Sequence, residues 1–287
     1  MKKMDIVFIG SSELGLCALK ASNRFNILNV LCLRNRLTEG LNNAAQEIGL
    51  SIKLFDWHED FRVLINQFDI DTPFFIYQLD MLVPEDIVRK YRFFNVHRGC
   101  LRLNRGPNPD VWPILLGFEE TKISLHQLNE KIDSGLYIDS FSVDIEQGED
   151  SVVVKGKMEA FMPDIVESLY LHLLGALAGT TLSGGDYYPW IKEYDFTIDL
   201  TSDSIEVMQR KILSQRQYFG ALLCFNEQKI YINDMSVSEM SIEGSLPFQR
   251  INEKIYIQKE GKEVILYVNS KAEYRPMKNR PLPINKI

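Results

Sequence analysis

Short apolar runs that alternate with segments of helical periodicity fill the first third of this chain, and that alternation limits the folds open to it more than any other feature. Ile6-Val7-Phe8-Ile9-Gly10 and Pro73-Phe74-Phe75-Ile76-Tyr77 have no polar face, so they read as strands covered on both sides. Gly10-Ser11-Ser12-Glu13 turns the chain from the first of these into an amphipathic helix carrying Leu14, Leu16, Cys17 and Leu19, and a second apolar strand follows at 27–33. The pattern continues with a helix at 41–48, a strand at 51–55 and a helix at 60–68; after 73–77, Pro84 opens a short helix with acids in its first turn. Strands and helices at this spacing predict an α/β fold, a Rossmann-like and mainly parallel sheet wound on both faces.

Such a sheet accounts for about 180 residues, and the chain has 287. Strands at 122–127 and 136–143, with a turn at Ile132-Asp133-Ser134-Gly135, lead into a mostly helical stretch at 151–177. Met158, Phe161, Ile165, Leu169 and Leu173 there stand at helical spacing and read as core. Near Thr180-Thr181-Leu182-Ser183-Gly184-Gly185-Asp186 the alternation stops. Beyond it, one helix at 203–213 is followed by β segments at 220–225, 229–233, 254–259 and 264–268, with Glu260-Gly261-Lys262 suited to a hairpin turn. The expected organisation is a domain over 1–185 and a smaller β-rich domain over 186–287.

Phe93-Phe94-Asn95-Val96-His97 ends as a strand that delivers two polar side chains to one place. Successive strand residues point to opposite faces, so Asn95 and His97 share one face and Phe94 and Val96 the other. The following Arg98-Gly99-Cys100-Leu101-Arg102-Leu103-Asn104-Arg105-Gly106-Pro107-Asn108-Pro109 is a loop over the strand's carboxyl end, where α/β sheets bind ligands. For Asn95 and His97 alone, a hydrogen-bonded core or surface histidine is the competing reading. The Gly10-Ser11-Ser12 turn offers main-chain N–H groups to an anion at a helix start, or is a plain strand-to-helix turn; without G-x-G-x-x-G it is not read as a dinucleotide site. His126 and His172 are weaker candidates than His97, and His58 among Asp56, Glu59 and Asp60 reads as solvated.

Net charge is −7, so no global basic field draws the protein to nucleic acid or to an anionic membrane. Cys17, Cys32, Cys100 and Cys224 form no C-x-x-C pair, which predicts no metal site and fits a reduced cytoplasmic compartment. The first residues run straight into a strand, predicting no secretory leader, and no apolar run reaches the roughly 20 residues of a membrane helix.

With these residues in view, the chain resembles the folate-dependent formyltransferases, which include sugar N-formyltransferases and methionyl-tRNA formyltransferase. The resemblance rests on Phe94-Asn95-Val96-His97, on Arg105-Gly106 with Pro109 and Trp112, and on Asp133-Ser134-Gly135. The segments 6–19 and 81–87 resemble the family's opening strand and helix and its folate loop. Asp195-Phe196-Thr197-Ile198-Asp199 and Tyr218-Phe219-Gly220-Ala221 resemble landmarks of its OB-like C-terminal domain. Departures follow the histidine, where Pro or Gly and a Leu-Leu-Pro run are usual: here Arg98-Gly99-Cys100-Leu101-Arg102 stands, and Asn104 takes the place of a common aromatic.

The resemblance implies acyl transfer, with N10-formyltetrahydrofolate as co-substrate and no metal. An amide aimed at the developing oxyanion suits Asn95, a positioned imidazole as general base or acid suits His97, and Asp133 would orient that imidazole. Met81, Leu82 and Val83, with Asn129, Ile132 and Asp133, would line the folate pocket. For the acceptor, the expectation is a nucleotide-linked amino sugar, as in surface-polysaccharide biosynthesis, held by Gly10, Ser11, Ser12 and a diphosphate grip of Arg98, Arg102 and Arg105; solvated loop arginines are the other reading. A tRNA acceptor needs clustered basic residues, whereas the loop Leu33-Arg34-Asn35-Arg36-Leu37-Thr38-Glu39-Gly40 supplies two arginines against one glutamate. Methionyl-tRNA is the runner-up acceptor and an amino acid or peptide amine the third, beside a binding protein without turnover. A small-molecule partner is expected, nucleic acid and membrane are not, and a homodimer is admitted.

Overall fold

A computed structural model describes residues 3–182, 184–241 and 249–272. The chain opens with β1 (Met4–Gly10), α1 (Glu13–Ser22), β2 (Phe25–Leu33), α2 (Glu39–Glu47), β3 (Ile52–Phe55), α3 (His58–Ile65), β4 (Pro73–Tyr77), α4 (Glu85–Lys90) and β5 (Arg92–His97). It continues with α5 (Trp112–Leu116), β6 (Glu120–Gln127), β7 (Leu136–Asp144), α6 (Ser151–Glu159), α7 (Met162–Leu173) and β8 (Thr180–Thr181). These strands form one eight-stranded sheet in the order β3-β2-β1-β4-β5-β6-β7-β8. From β3 to β5 the pairing is parallel; β6, β7 and β8 add on antiparallel.

Both faces of the sheet are covered, as the unbroken apolar runs require. Ile6, Phe8, Phe75, Phe94 and Val96 join the core under α1, α6 and α7. Val7, Ile9, Phe74, Ile76 and Phe93 join a second core under α3 and α4. Helix starts follow side-chain caps: Ser12 accepts from the N–H of Leu14, Thr38 from that of Leu41, and Asp150 from those of Val152 and Val153. The helical stretch expected over 151–177 is two helices, because Pro163 lacks an N–H to continue α6 and instead sits in the first turn of α7.

The rest of the chain holds α8 (Glu193–Phe196), β9 (Thr197–Ile198), α9 (Ile205–Gln215), β10 (Ala221–Phe225), β11 (Gln228–Ser241), β12 (Gln249–Ile251), β13 (Lys254–Lys259) and β14 (Lys262–Val268). They build a second, six-stranded sheet in the order β12-β13-β14-β11-β10-β9, antiparallel except for the β9–β10 pair. Glu260 and Gly261 both take positive φ, 55° and 72°, in the two-residue turn that joins β13 to β14. Met208 and Ile212 of α9 pack on this sheet with Ile198, Leu223, Ile232 and Leu266. A further apolar cluster joins Val111 and Trp112 to Ile191, Phe196, Leu222 and Tyr231, so the loop after β5 is anchored on the second sheet.

Candidate active site

Strand order reverses between β1 and β4, the switch point at whose strand carboxyl ends open α/β sheets bind their ligands. Gly10 pairs with Tyr77, and on the next strand Ile76 pairs with Asn95. The approach at Gly10 is close enough that a Cβ there would sit 1.9 Å from the carbonyl oxygen of Tyr77. Glycine is therefore required for the two strands to meet at this height.

Asn95 and His97 share the face that Phe93 occupies, while Phe94 and Val96 enter the opposite core. His97 is 5% exposed. Its Nε2 lies 2.7 Å from the main-chain oxygen of Asn104. A carbonyl only accepts, so Nε2 carries the proton and the Nδ1 lone pair is left for chemistry. That nitrogen faces Asp133, with 3.7 Å between Nδ1 and Oδ2. The separation exceeds a hydrogen bond but is close enough to stabilise an imidazolium. Asp133 is fixed by the N–H of Gly106, which donates to Oδ2 over 2.9 Å, and it sits in the left-handed region at φ 47°.

Two further residues join this centre: His126, a weaker candidate than His97 in the sequence, and Asn104, which the sequence marks only as standing in place of an aromatic. His126, on β6 directly opposite Asn95, is fully buried; its Nε2 is 3.0 Å from the side-chain nitrogen of Asn95 and 3.6 Å from Oδ1 of Asp133. Burial, with the His97 ring adding to it and the Asp133 charge opposing it, depresses the pKa of His126 to about 4. The alternation in Ile123-Ser124-Leu125-His126 does put Ser124 and His126 on one face, but the antiparallel register beside β5 is not written in it. Asn104 is 1% exposed; its carbonyl holds His97 and its Nδ2 donates to the carbonyl of Pro109 over 2.7 Å. Gly99 completes this packing, since a Cβ there would lie 2.7 Å from Nε2 of His97.

The three loop arginines part company. Arg98 points away from the His97 face into a buried cluster, 3.3 Å from Glu159, 3.7 Å from Asp110 and 6.0 Å from the centre of the Tyr77 ring. Glu159 also accepts from the hydroxyl of Tyr77, whose pKa is raised by burial first and by the Glu159 charge in part. Burial pulls the Arg98 pKa down, but Asp110, Tyr77 and Glu159 together raise it further. Arg102 is exposed, and Arg105 donates to the carbonyl of Gly185. The main chain of 102–105 is bonded to 186–188, which lays the Tyr187 ring over Gly106. Burial, then the charge of Asp133, raises the Tyr187 pKa.

At the Gly10 turn the hydroxyls are engaged locally: Ser11 donates to the carbonyl of Gln78 and Ser12 caps α1. Met81 and Val83 pack into the core beneath α4, while Leu82 is 43% exposed. Asn129 closes the loop before β7, accepting from the N–H of Lys131 and donating to the carbonyl of Ser134, with Ile132 half-buried beside Asp133. No cluster of three or more metal-ligating side chains occurs among the described residues.

No family model matches the chain. A methionyl-tRNA formyltransferase of Bartonella bacilliformis is 32% identical over 145 residues, 49% of this chain and 47% of that protein; another, from Malacoplasma penetrans, is 25% identical over 177 residues, 58% and 55%. The chain thus spans about half the length of the curated relatives it matches. Among solved structures, the sugar 3N-formyl transferase WlaRD, crystallised with dTDP and 5-N-formyl-THF, superposes with a TM-score of 0.70 over 95% of this chain and 100% of its own at 15% identity. The chain has the fold of the folate-dependent formyltransferases. An N-formyltransferase from Helicobacter canadensis, in complex with folinic acid and dTDP-3-aminofucose, shares this formyltransferase fold with a TM-score of 0.69 over 93% of this chain and 100% of that one, at 14% identity. Both architectural elements of the formyltransferase fold are present here, the mixed sheet with flanking helices and the smaller β-rich sheet.

Proposed function

We propose that this protein is an N-formyltransferase that moves a formyl group from N10-formyltetrahydrofolate to the amine of a nucleotide-linked amino sugar. The observation that carries the reading is the convergence of an amide, an imidazole and a carboxylate at one strand end, with Asp133 3.7 Å from the free nitrogen of His97. Asn95 donates an N–H to the formyl oxygen as negative charge builds there, an interaction worth about 3 kcal/mol. Nδ1 of His97 takes the proton that the attacking amine loses, and Asp133 stabilises the resulting imidazolium; as the tetrahedral intermediate collapses, that proton passes to N10 of the folate, whose bond to the formyl carbon breaks to release tetrahydrofolate. The folate co-substrate supplies the formyl carbon. Exposed Leu82 beside buried Met81 and half-buried Val83 offers it an apolar wall, and the main chain of 129–133 offers polar groups.

The acceptor's diphosphate is assigned to Arg102 and Arg105 with Gly10, Ser11 and Ser12, a set of donors that suits a diphosphate better than a polynucleotide. The two arginines of the loop after β2 are already paired, Arg34 with Asp56 and Arg36 with Asp80. Methionyl-tRNA is the second reading, favoured by the names of the curated relatives. The division of the chain at 185/186 belongs to the same proposal, supported by the change of sheet between β8 and β9. So do a cytoplasmic location and a homodimer; no helix among the described residues is long and apolar enough to cross a membrane.

The test is incubation with N10-formyltetrahydrofolate and a panel of dTDP-, UDP- and GDP-linked amino sugars beside methionyl-tRNA. Formylation of a sugar is expected, and turnover of the tRNA alone would overturn the acceptor assignment. Asn95→Ala and His97→Ala are each expected to cost about 10²-fold or more in kcat while folate still binds; near-normal rates in either would remove the mechanism.

A further inference from the structure

His126 has no part in the scheme above, yet it lies inside the site. It is fully buried, stands across the β5–β6 ladder from Asn95, and places Nε2 3.0 Å from that residue's side-chain nitrogen. An amide nitrogen has only N–H to offer, so Nε2 accepts and the ring proton must be on Nδ1. Nδ1 is buried and has no hydrogen-bond partner among the described residues. Leaving such a group unmet costs about 1–3 kcal/mol, and this one is left unmet at the edge of a reaction centre.

Building on the formyl-transfer reading, we propose that His126 is a positioning residue: it takes one N–H of the Asn95 side chain, locks the carboxamide in one orientation, and leaves the second N–H aimed at the reacting carbonyl. An amide without such an anchor would turn about its last side-chain bond and meet the oxyanion only part of the time. The anchor also has to be uncharged. A carboxylate in its place would repel the negative charge that Asn95 exists to stabilise, and an imidazolium would have no lone pair to receive the N–H. Full burial keeps the ring neutral despite Asp133 at 3.6 Å.

Two measurements test this. In protein labelled with 15N at histidine and asparagine, His126 is expected as the Nδ1–H form, with the Asn95 side-chain amide resonance shifting in His126→Ala. A protonated Nε2, or an Asn95 amide indifferent to the substitution, overturns the proposal whether or not the protein turns over. In kinetics, His126→Ala is expected to lower kcat about 10- to 100-fold with both KM values within about threefold of wild type. His126→Gln, whose Oε1 reaches the position of Nε2, should restore most of that loss. A merely structural role would lower thermal stability in both variants without the kcat split, and equal kcat in His126→Ala and wild type would sink the inference. A wild-type protein that formylates none of the panel would instead remove the parent reading, leaving the spectra to decide the hydrogen bond.

Discussion

Arg98→Met separates two roles for the arginine that directly follows the His97 strand end. In the sequence it reads as a diphosphate ligand; in the fold its guanidinium is enclosed by Glu159 at 3.3 Å and Asp110 at 3.7 Å, and its side chain is only 18% exposed. At an effective dielectric constant of about 20, each attraction is worth roughly 4–5 kcal/mol before desolvation is subtracted. Removing one partner of a buried ion pair costs about 3–5 kcal/mol, because the carboxylates stay behind without compensation. Lys155, 3.8 Å from Glu159, relieves one of them; Asp110, with 7% of its side chain exposed, keeps the larger share of the penalty. For a domain of this size each kcal/mol lowers Tm by about 2–4 °C, so Arg98→Met should melt about 10 °C lower. Thermal unfolding followed by circular dichroism at pH 7 reads the shift, and the same samples give KM for the acceptor. A Tm within about 2 °C of wild type, together with a tenfold rise in acceptor KM, would refute the buttress role and restore Arg98 as a substrate ligand.

Asp133→Asn keeps a residue that tolerates the left-handed φ of 47° and an oxygen for the N–H of Gly106, but removes the charge facing His97. We expect kcat to fall about 10²-fold with little change in Tm, and full activity in steady-state assays would show that the charge is not needed. Gly99→Ala would press a methyl group to 2.7 Å from Nε2 of His97 and 3.0 Å from the carbonyl of Asn104. The bond between those two atoms should break, with a cost of about 1–3 kcal/mol in urea unfolding and at least about tenfold in kcat; unchanged kinetics would contradict it. For His126, the folded pKa near 4 lies below the usual 6.5, so the unfolded chain binds the proton first as pH falls. Its contribution is full above about pH 6.5 and is lost by about pH 4, a change of roughly 3 kcal/mol that His126→Gln should abolish. Parallel stability–pH curves for the two proteins would refute this.

The periodicity of the chain determined a good deal by itself. Runs without a polar face and too short for a buried helix, such as Val7 to Ile9 and Phe74 to Ile76, read as strands covered on both sides, so the doubly wound sheet was legible. Strand alternation likewise placed Asn95 and His97 on one face, since it is a property of the backbone and needs no partner. What lies across from a residue is different, because register and hydrogen-bond partners depend on chain segments far apart in sequence. Only the fold set His126 against Asn95, brought the carbonyl of Asn104 to His97 and gave Nδ1 the free lone pair. Only the fold, too, turned Arg98 away from the His97 face and into the Asp110–Glu159 cluster: successive side chains reverse direction, and the side that holds the carboxylates is decided by Asp110 on the following loop together with Glu159 of α6, some sixty residues further on.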